Sequence, residues 1–125
     1  MSVLEGKNLL IVDDDPLALE AFGEWLRGSG ASVDTALNSG AAVQKCENFQ
    51  FDAVSIDLNL DGSCGGELAP KVRKLNPEAV LIALTGRDCD HVSEELIARF
   101  DDCLEKWTPP EELIRILGKL IHKHA

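Results

Sequence analysis

The chain has 125 residues, enough to close one hydrophobic core, and 45% of them are hydrophobic and 27% charged, as in an ordinary globular domain. A formal net charge of −10 argues against binding nucleic acid, whose phosphates need a cationic surface, and disfavours anionic membranes. No apolar run nears the ~20 residues of a membrane span and no signal peptide opens the chain, so a cytoplasmic location is expected.

Short apolar runs alternate with helix-like segments, and this repetition of βα units predicts a parallel sheet. The first strand is LLIV, Leu9–Val12, which runs straight into Asp13, Asp14, Asp15 and Pro16. Asp15 reads as the N-cap of a first helix with Pro16 at its first position. Leu19, Phe22 and Leu26 give that helix an inward stripe, and Gly28-Ser29-Gly30 ends it. SVDTA, Ser32–Ala36, is a more polar second strand suited to a sheet edge. Asn38 then caps a helix carrying Ala42, Val43 and Cys46.

AVSI, Ala53–Ile56, forms the third strand and delivers Asp57. Leu68, Val72 and Leu75 mark a third helix that stops at Asn76-Pro77. Pro70 would remove an internal hydrogen bond from a helix starting near Gly65, so a late start or a kink is expected. VLIAL, Val80–Leu84, is the fourth strand, followed by Thr85-Gly86, and Val92, Leu96 and Phe100 outline a fourth helix. DCLE, Asp102–Glu105, is a second polar strand leading to Lys106, with Asp101, Asp102 and Glu105 expected to be solvated. Thr108 and Glu111, with Pro109 between them, read as a capping box for a fifth helix whose inward stripe is Leu113, Leu117 and Leu120. His122 and His124 fall in a solvated tail.

Ligands of open α/β sheets bind beyond the carboxyl ends of the strands. Asp13, Asp14 and Asp15, Asp57, Thr85 and Lys106 all follow strands, so one edge gathers an acid cluster, a hydroxyl and an ammonium. Close carboxylates without thiolate or imidazole suit a hard divalent ion such as Mg²⁺. An Asp beside that ion can attack a phosphoryl group, while the metal, the lysine and the hydroxyl neutralise the transferring oxygens. Cys46, Cys64, Cys89 and Cys103 form no C-x-x-C pair and read as reduced thiols; spacing gives a zinc site of Cys64, Cys89 and His91 no support. Arg87 and His91 read as solvated loop.

Four pieces, LLIVDDDP, FDAVSIDLNLDGSCGGEL, VLIALTG and DDCLEKW, carry a family resemblance. Over essentially its full length the chain resembles the receiver (response-regulator) domain of two-component signalling. The resemblance implies a single domain, residues 1–125, with no output domain. It implies a doubly wound (βα)5 flavodoxin-like three-layer sandwich, sheet order 2-1-3-4-5, with two helices on one face and three on the other. It further implies that Asp57 takes a phosphoryl group from a sensor histidine kinase or histidine phosphotransfer protein. Asp13, Asp14 and Asp57 would hold Mg²⁺ with the backbone carbonyl of Asn59, while Thr85 and Lys106 contact the phosphoryl group. The product is a changed affinity for a downstream protein, not catalytic turnover, although such a domain assists its own phosphorylation and dephosphorylation.

Three positions depart from the family. Trp107 follows Lys106 where receivers place a cis proline; a non-proline cis bond costs about 2.5–4 kcal/mol, so a trans peptide is expected. Trp107 is then expected to lie as a lid on the fifth helix, with a partner-binding anchor as the other reading. Asp61 replaces a frequent proline and is expected to be solvated. Cys103 stands where receivers carry an aromatic switch and is too small to swing as a ring does. A muted or rerouted conformational change follows, with little shift at the fourth helix, last strand and last helix. Two other functions fit less well. One is a receiver-like interaction module that is never phosphorylated. The other is a haloacid-dehalogenase-like phosphatase with Asp13 as nucleophile and Asp15 as acid, against which stand Leu17, the lack of an acid pair after Lys106 and the want of room for a cap domain.

Overall fold

The computed structural model describes residues 3–60, 63–86 and 92–124. Its elements are β1 (Asn8–Val12), α1 (Pro16–Gly28), β2 (Ser32–Ala36), α2 (Ser39–Asn48), β3 (Ala53–Asp57), β4 (Asn59–Leu60) and β5 (Ser63–Cys64). A 3₁₀ turn (Gly65–Glu67), α3 (Ala69–Leu75), β6 (Val80–Thr85), α4 (Glu94–Ile97), β7 (Asp102–Glu105) and α5 (Pro110–His124) follow. Five strands pair in parallel in the order β2-β1-β3-β6-β7, the doubly wound topology expected, with the two polar strands at its edges. The antiparallel β4–β5 hairpin after β3 stands apart from that sheet.

The apolar runs are continuous because both faces of the sheet are covered. Leu10, Val12, Val54, Ile56, Leu81 and Ala83 pack on one face with Ala42 and Cys46 of α2 and with Leu68 and Val72 around α3. Phe100, just past α4, joins that cluster. Leu9, Ile11, Val80, Ile82 and Leu84 point the other way, onto Leu19 and Leu26 of α1 and Leu113, Leu117 and Ile121 of α5. Alternation along each strand therefore sends three helices to one face and two to the other.

Local chemistry sets most helix ends. The Asp15 side chain accepts from Leu17 N at 3.0 Å, with Pro16 opening α1. Asn38 accepts from Ala41 N at 2.8 Å to start α2. Gly30, at φ 94°, lies in the left-handed region that glycine adopts without strain, and turns the chain from α1 into β2. Pro70 delays α3 as expected: the helix begins at Ala69, which puts the proline in a first turn that needs no donor.

Three expectations need correction. The fourth helix is a single turn capped by Ser93, which accepts from Leu96 N at 3.2 Å; Val92 and Phe100 lie outside it. The capping box of α5 does not form. Thr108 instead donates its hydroxyl to Glu105 O at 2.7 Å and its amide to the same oxygen at 3.0 Å, closing the turn after β7. Pro109 precedes Pro110, and a residue before proline is pushed out of the helical region, so α5 begins at Pro110. Asp101 is not simply solvated: its Oδ2 accepts from Leu81 N at 2.8 Å and from Arg73 Nη2 at 3.3 Å, tying the approach to β7 onto β6 and α3.

Asn76 does more than stop α3. Fully buried, it accepts from Phe51 N at 2.6 Å and donates to Cys46 O and Phe49 O at 3.0 and 3.2 Å, which locks the end of α2 to the start of β3. Asn76→Ala strands one buried amide and two carbonyls, and each buried polar group left unpaired costs about 1–3 kcal/mol. The variant should lose about 3 kcal/mol or more, read as a lower urea midpoint with an unchanged m-value.

Candidate functional site

The pairing that builds the sheet also aligns the polar residues. Val12 lies beside Ala36 and Ile56, Asp57 beside Leu84, and Thr85 beside Glu105, so the residues that leave these strands emerge at one edge. Backbone bonds continue past the strand ends: Asp13 N donates to Ala36 O at 3.1 Å, Leu58 N to Leu84 O at 2.9 Å and Lys106 N to Thr85 O at 2.8 Å. The main chain under each site residue is therefore pinned to its neighbour.

Asp13 and Asp57 are buried, 4% and 2% exposed, while Asp14 is open to solvent. Lys106 Nζ donates to Asp57 Oδ2 at 2.7 Å and lies 3.5 Å from Asp13 Oδ2. The remaining oxygens take backbone donors, Asn59 N to Asp57 Oδ1 and Asp15 N to Asp13 Oδ1, each at 3.0 Å. Thr85, also buried, ends β6 at the same edge. One carboxylate oxygen from each of Asp13, Asp14 and Asp57 lies within 4.8 Å of the others, close enough for one cation to bridge. An all-oxygen, all-carboxylate donor set fits a hard divalent ion.

The electrostatics show the same crowding. Burial raises the Asp13 carboxyl above its usual range, and the charge and hydrogen bond of Asp57 push it further; the Asp15 amide and Lys106 pull it down without prevailing. Burial pulls Lys106 down, but its hydrogen bond to Asp57 and the charges of Asp57 and Asp13 outweigh that and leave it raised. Lys106 therefore contributes stability that is present below the usual lysine range and is lost as pH rises through its raised value. Asp13 acts in the same sense at lower pH: without a cation, stability falls as pH rises from the ordinary carboxylate range through its raised value, because the folded state holds that proton longer.

Asp13, Asp14, Asp57 and Lys106 thus come together, Thr85 ends its strand at the same edge, and Asp15 separates from them as a helix cap. Gly65 had escaped notice. Its amide donates to Leu58 O at 2.9 Å, and its Cα lies so close to the Asp57 carbonyl that a methyl group has no room. The Gly65-Gly66 doublet shortly after Asp57 was the available signal. Also unforeseen is a hollow of about 370 Å³ beside Lys106 and Asp13, walled by Ala18, Phe22, Trp25 and Leu84. The peptide after Lys106 is trans, as expected, and Trp107 is 59% exposed. Leu17, Leu37 and Trp107, on the segments following β1, β2 and β7, leave large apolar side chains open around the acids. Asp61, Arg87, Cys89 and His91 lie outside the described residues, as does the side chain of Cys64.

Comparison with known proteins agrees with this geometry. Residues 9–118 match the model of the response regulator receiver domain. A cyclic di-GMP phosphodiesterase of Thermotoga maritima is 34% identical over 115 residues, 91% of this chain but 30% of that protein. The chain spans about half the length of two transcriptional regulatory proteins and a response regulator that it also matches. Among solved structures, a CheY-like receiver domain protein from Methanospirillum hungatei superposes with a TM-score of 0.85 at 28% identity, covering 96% of this chain and 97% of that one. The response regulator TrrA of Thermotoga maritima, solved with Mg²⁺ and BeF, gives 0.82 at 32% identity, over 91% of this chain and 98% of that one.

The cluster's capacity for a divalent ion is open to a direct test. Mg²⁺ at a hundred times its Kd should raise stability by about 2.7 kcal/mol in a thermal melt. Asp14→Asn should lose most of that rise. Asp15→Asn should keep it, because asparagine caps a helix as well as aspartate does.

Proposed function

The chain belongs to the response regulator receiver family, and from that premise we propose that Asp57 is its phosphoacceptor and Asp13, Asp14, Asp57 and the Asn59 carbonyl its Mg²⁺ ligands. It is a receiver domain of two-component signalling, and the observation that supports the finer reading is the buried Asp57 carboxylate, 2.7 Å from the Lys106 ammonium and beside Asp13 and Asp14.

Asp57 attacks the phosphorus of a phosphohistidine; an O–P bond forms, the P–N bond breaks, and the imidazole leaves with the electron pair. Bound Mg²⁺ supplies charge neutralisation for the transferring oxygens. Lys106, already placed on Asp57 Oδ2, shifts its donation to a phosphoryl oxygen as the negative charge moves outward. Thr85 donates its hydroxyl to a second oxygen from the neighbouring strand end. The Asn59 amide holds the other Asp57 oxygen and orients the nucleophile throughout. Water attacking the same phosphorus later reverses the modification, so the domain assists its own dephosphorylation without a second substrate. The gained charge then alters the population of states that bind a downstream protein.

We propose as donor a sensor histidine kinase or histidine phosphotransfer protein, met in the cytoplasm. Among the described residues no helix is long and apolar enough to cross a membrane. The exposed Leu17, Leu37 and Trp107, with the apolar hollow beside α1, support a protein donor landing over the acids. Against the phosphatase reading stands Asp15 Oδ1, which accepts from Leu17 N as the cap of α1.

Asp57→Asn should abolish Mg²⁺-dependent labelling by both a phosphohistidine protein and a small acyl phosphate. Label kept in Asp57→Asn but lost in Asp13→Asn would favour the phosphatase, and no label on the unmodified chain would leave only the interaction module. Trp107→Ala should slow transfer from the protein donor roughly tenfold, the size of a modest interface hot spot, and leave labelling by the small donor unchanged.

A further inference from the structure

α1 carries more apolar surface than the sheet covers. Leu19, Gly23 and Leu26 are its buried stripe. A second stripe, Ala18, Ala21, Phe22 and Trp25, follows the i, i+3, i+4, i+7 spacing of one helix face and is exposed or half-buried. With Leu84 of β6 and Thr108 after β7, this stripe bounds the hollow of about 370 Å³ beside the acids. The two alanine methyls leave room, while Phe22 and Trp25 stand edge to face with centroids 6.0 Å apart and make a firm aromatic wall. The volume falls within the range of about 300–1,000 Å³ usual for small-molecule sites.

The polar groups of the hollow accept more than they donate. Asp13 keeps lone pairs beyond those used by the Asp15 amide and Lys106. Thr108 donates its hydroxyl to Glu105 O at 2.7 Å, so toward the hollow its oxygen can only accept. Lys106, also on the lining, directs its ammonium to Asp57 and Asp13. The flanking helices add negative charge: Glu20 and Glu24 are exposed on α1, and α5 opens with exposed Glu111 and Glu112. Aromatic walls with an acceptor-rich, negatively charged end suit an aromatic body bearing a cationic donor head.

We propose that this hollow binds a small aromatic amine, with its ring against Leu84 and the Phe22–Trp25 wall and its ammonium at Asp13 and the Thr108 oxygen. The amine is then a brake on Mg²⁺ loading, an antagonism that rests on Asp13 also serving the metal. The test is amide NMR of the full chain without Mg²⁺, titrated with tryptamine to about 10 mM, ten times the Kd of a millimolar ligand. Saturable shifts are expected at residues 18–25, including the Trp25 indole N–H, and at residues 84 and 106–108. The matching alcohol, tryptophol, and the acid, indolepropionate, should bind about tenfold more weakly or worse, the worth of one cation–π or charge-assisted contact. Ala21→Phe, at an exposed helix position, should fill the hollow, and Trp25→Ala should remove its wall; both should weaken tryptamine and leave the amide pattern of the sheet in place. No saturable shift, shifts gathered elsewhere on the chain, or equal affinity for alcohol and amine would overturn the site. So would undiminished binding in both variants. Saturating Mg²⁺ should weaken tryptamine about tenfold, within the usual span of coupling between two ligands. Unchanged tryptamine affinity, with metal shifts present at residues 13, 14 and 57–59, would overturn the antagonism. Absence of any metal shift there would instead overturn the Mg²⁺ reading, and the amine site would stand on the titrations without metal.

Discussion

Two buried carboxylates beside one ammonium govern this molecule. Asp13 and Asp57 meet at the carboxyl edge of the sheet, and burial alone would drive a proton onto Asp13. Lys106 is the counter-charge that the fold itself supplies, bonded to Asp57 and close to Asp13. Its ammonium is partly exposed, so water shares in the balance. One positive charge does not satisfy three acids. The deficit leaves the cluster suited to a cation, as an all-carboxylate donor set is.

Such a balance needs placement to a few tenths of an ångström, and the backbone provides it. β1, β3, β6 and β7 are register neighbours or next neighbours, and β1, β3 and β7 each continue their ladder by one bond past the last strand residue. The side chains then leave from pinned main chain, with the Asn59 and Asp15 amides holding the oxygens that Lys106 does not reach. Apolar burial on both faces of the sheet stabilises this frame, so the strained electrostatics sit on its rim without being asked to hold it together.

What was legible in the sequence was local. Continuous apolar runs marked the strands because both faces are covered, and each run ended at a residue that the structure places in the site. Asp15 and Asn38 could be read as caps because a cap bonds two or three residues ahead. What stayed hidden depends on distant partners. Asp101 meets Leu81 and Arg73, Asn76 meets Phe51 and Cys46, and Gly65 is required by the approach of the Asp57 carbonyl, none of which a local pattern encodes. The short β4–β5 hairpin has too few residues to show a period, and in α5 a proline pair outweighed a capping box. The family resemblance supplied the sheet order and the ligand set, which spacing alone could not.

The departures from the family fall in one class. Asp13, Asp14, Asp57, Thr85 and Lys106 keep their residue types and are held by the sheet, whereas Trp107 and Cys103 lie where the site meets other parts of the molecule or its partners. A side chain at such a place can change without disturbing a charge balance fixed by backbone register. A change among the acids or Lys106 cannot, because each is part of the neutralisation of the rest. The acids and Lys106 therefore depend on strand ends whose backbone is pinned, whereas Trp107 stands on an exposed segment that can change without moving them. The same fold can thus keep one reaction at its edge while the surface that reports it is rebuilt.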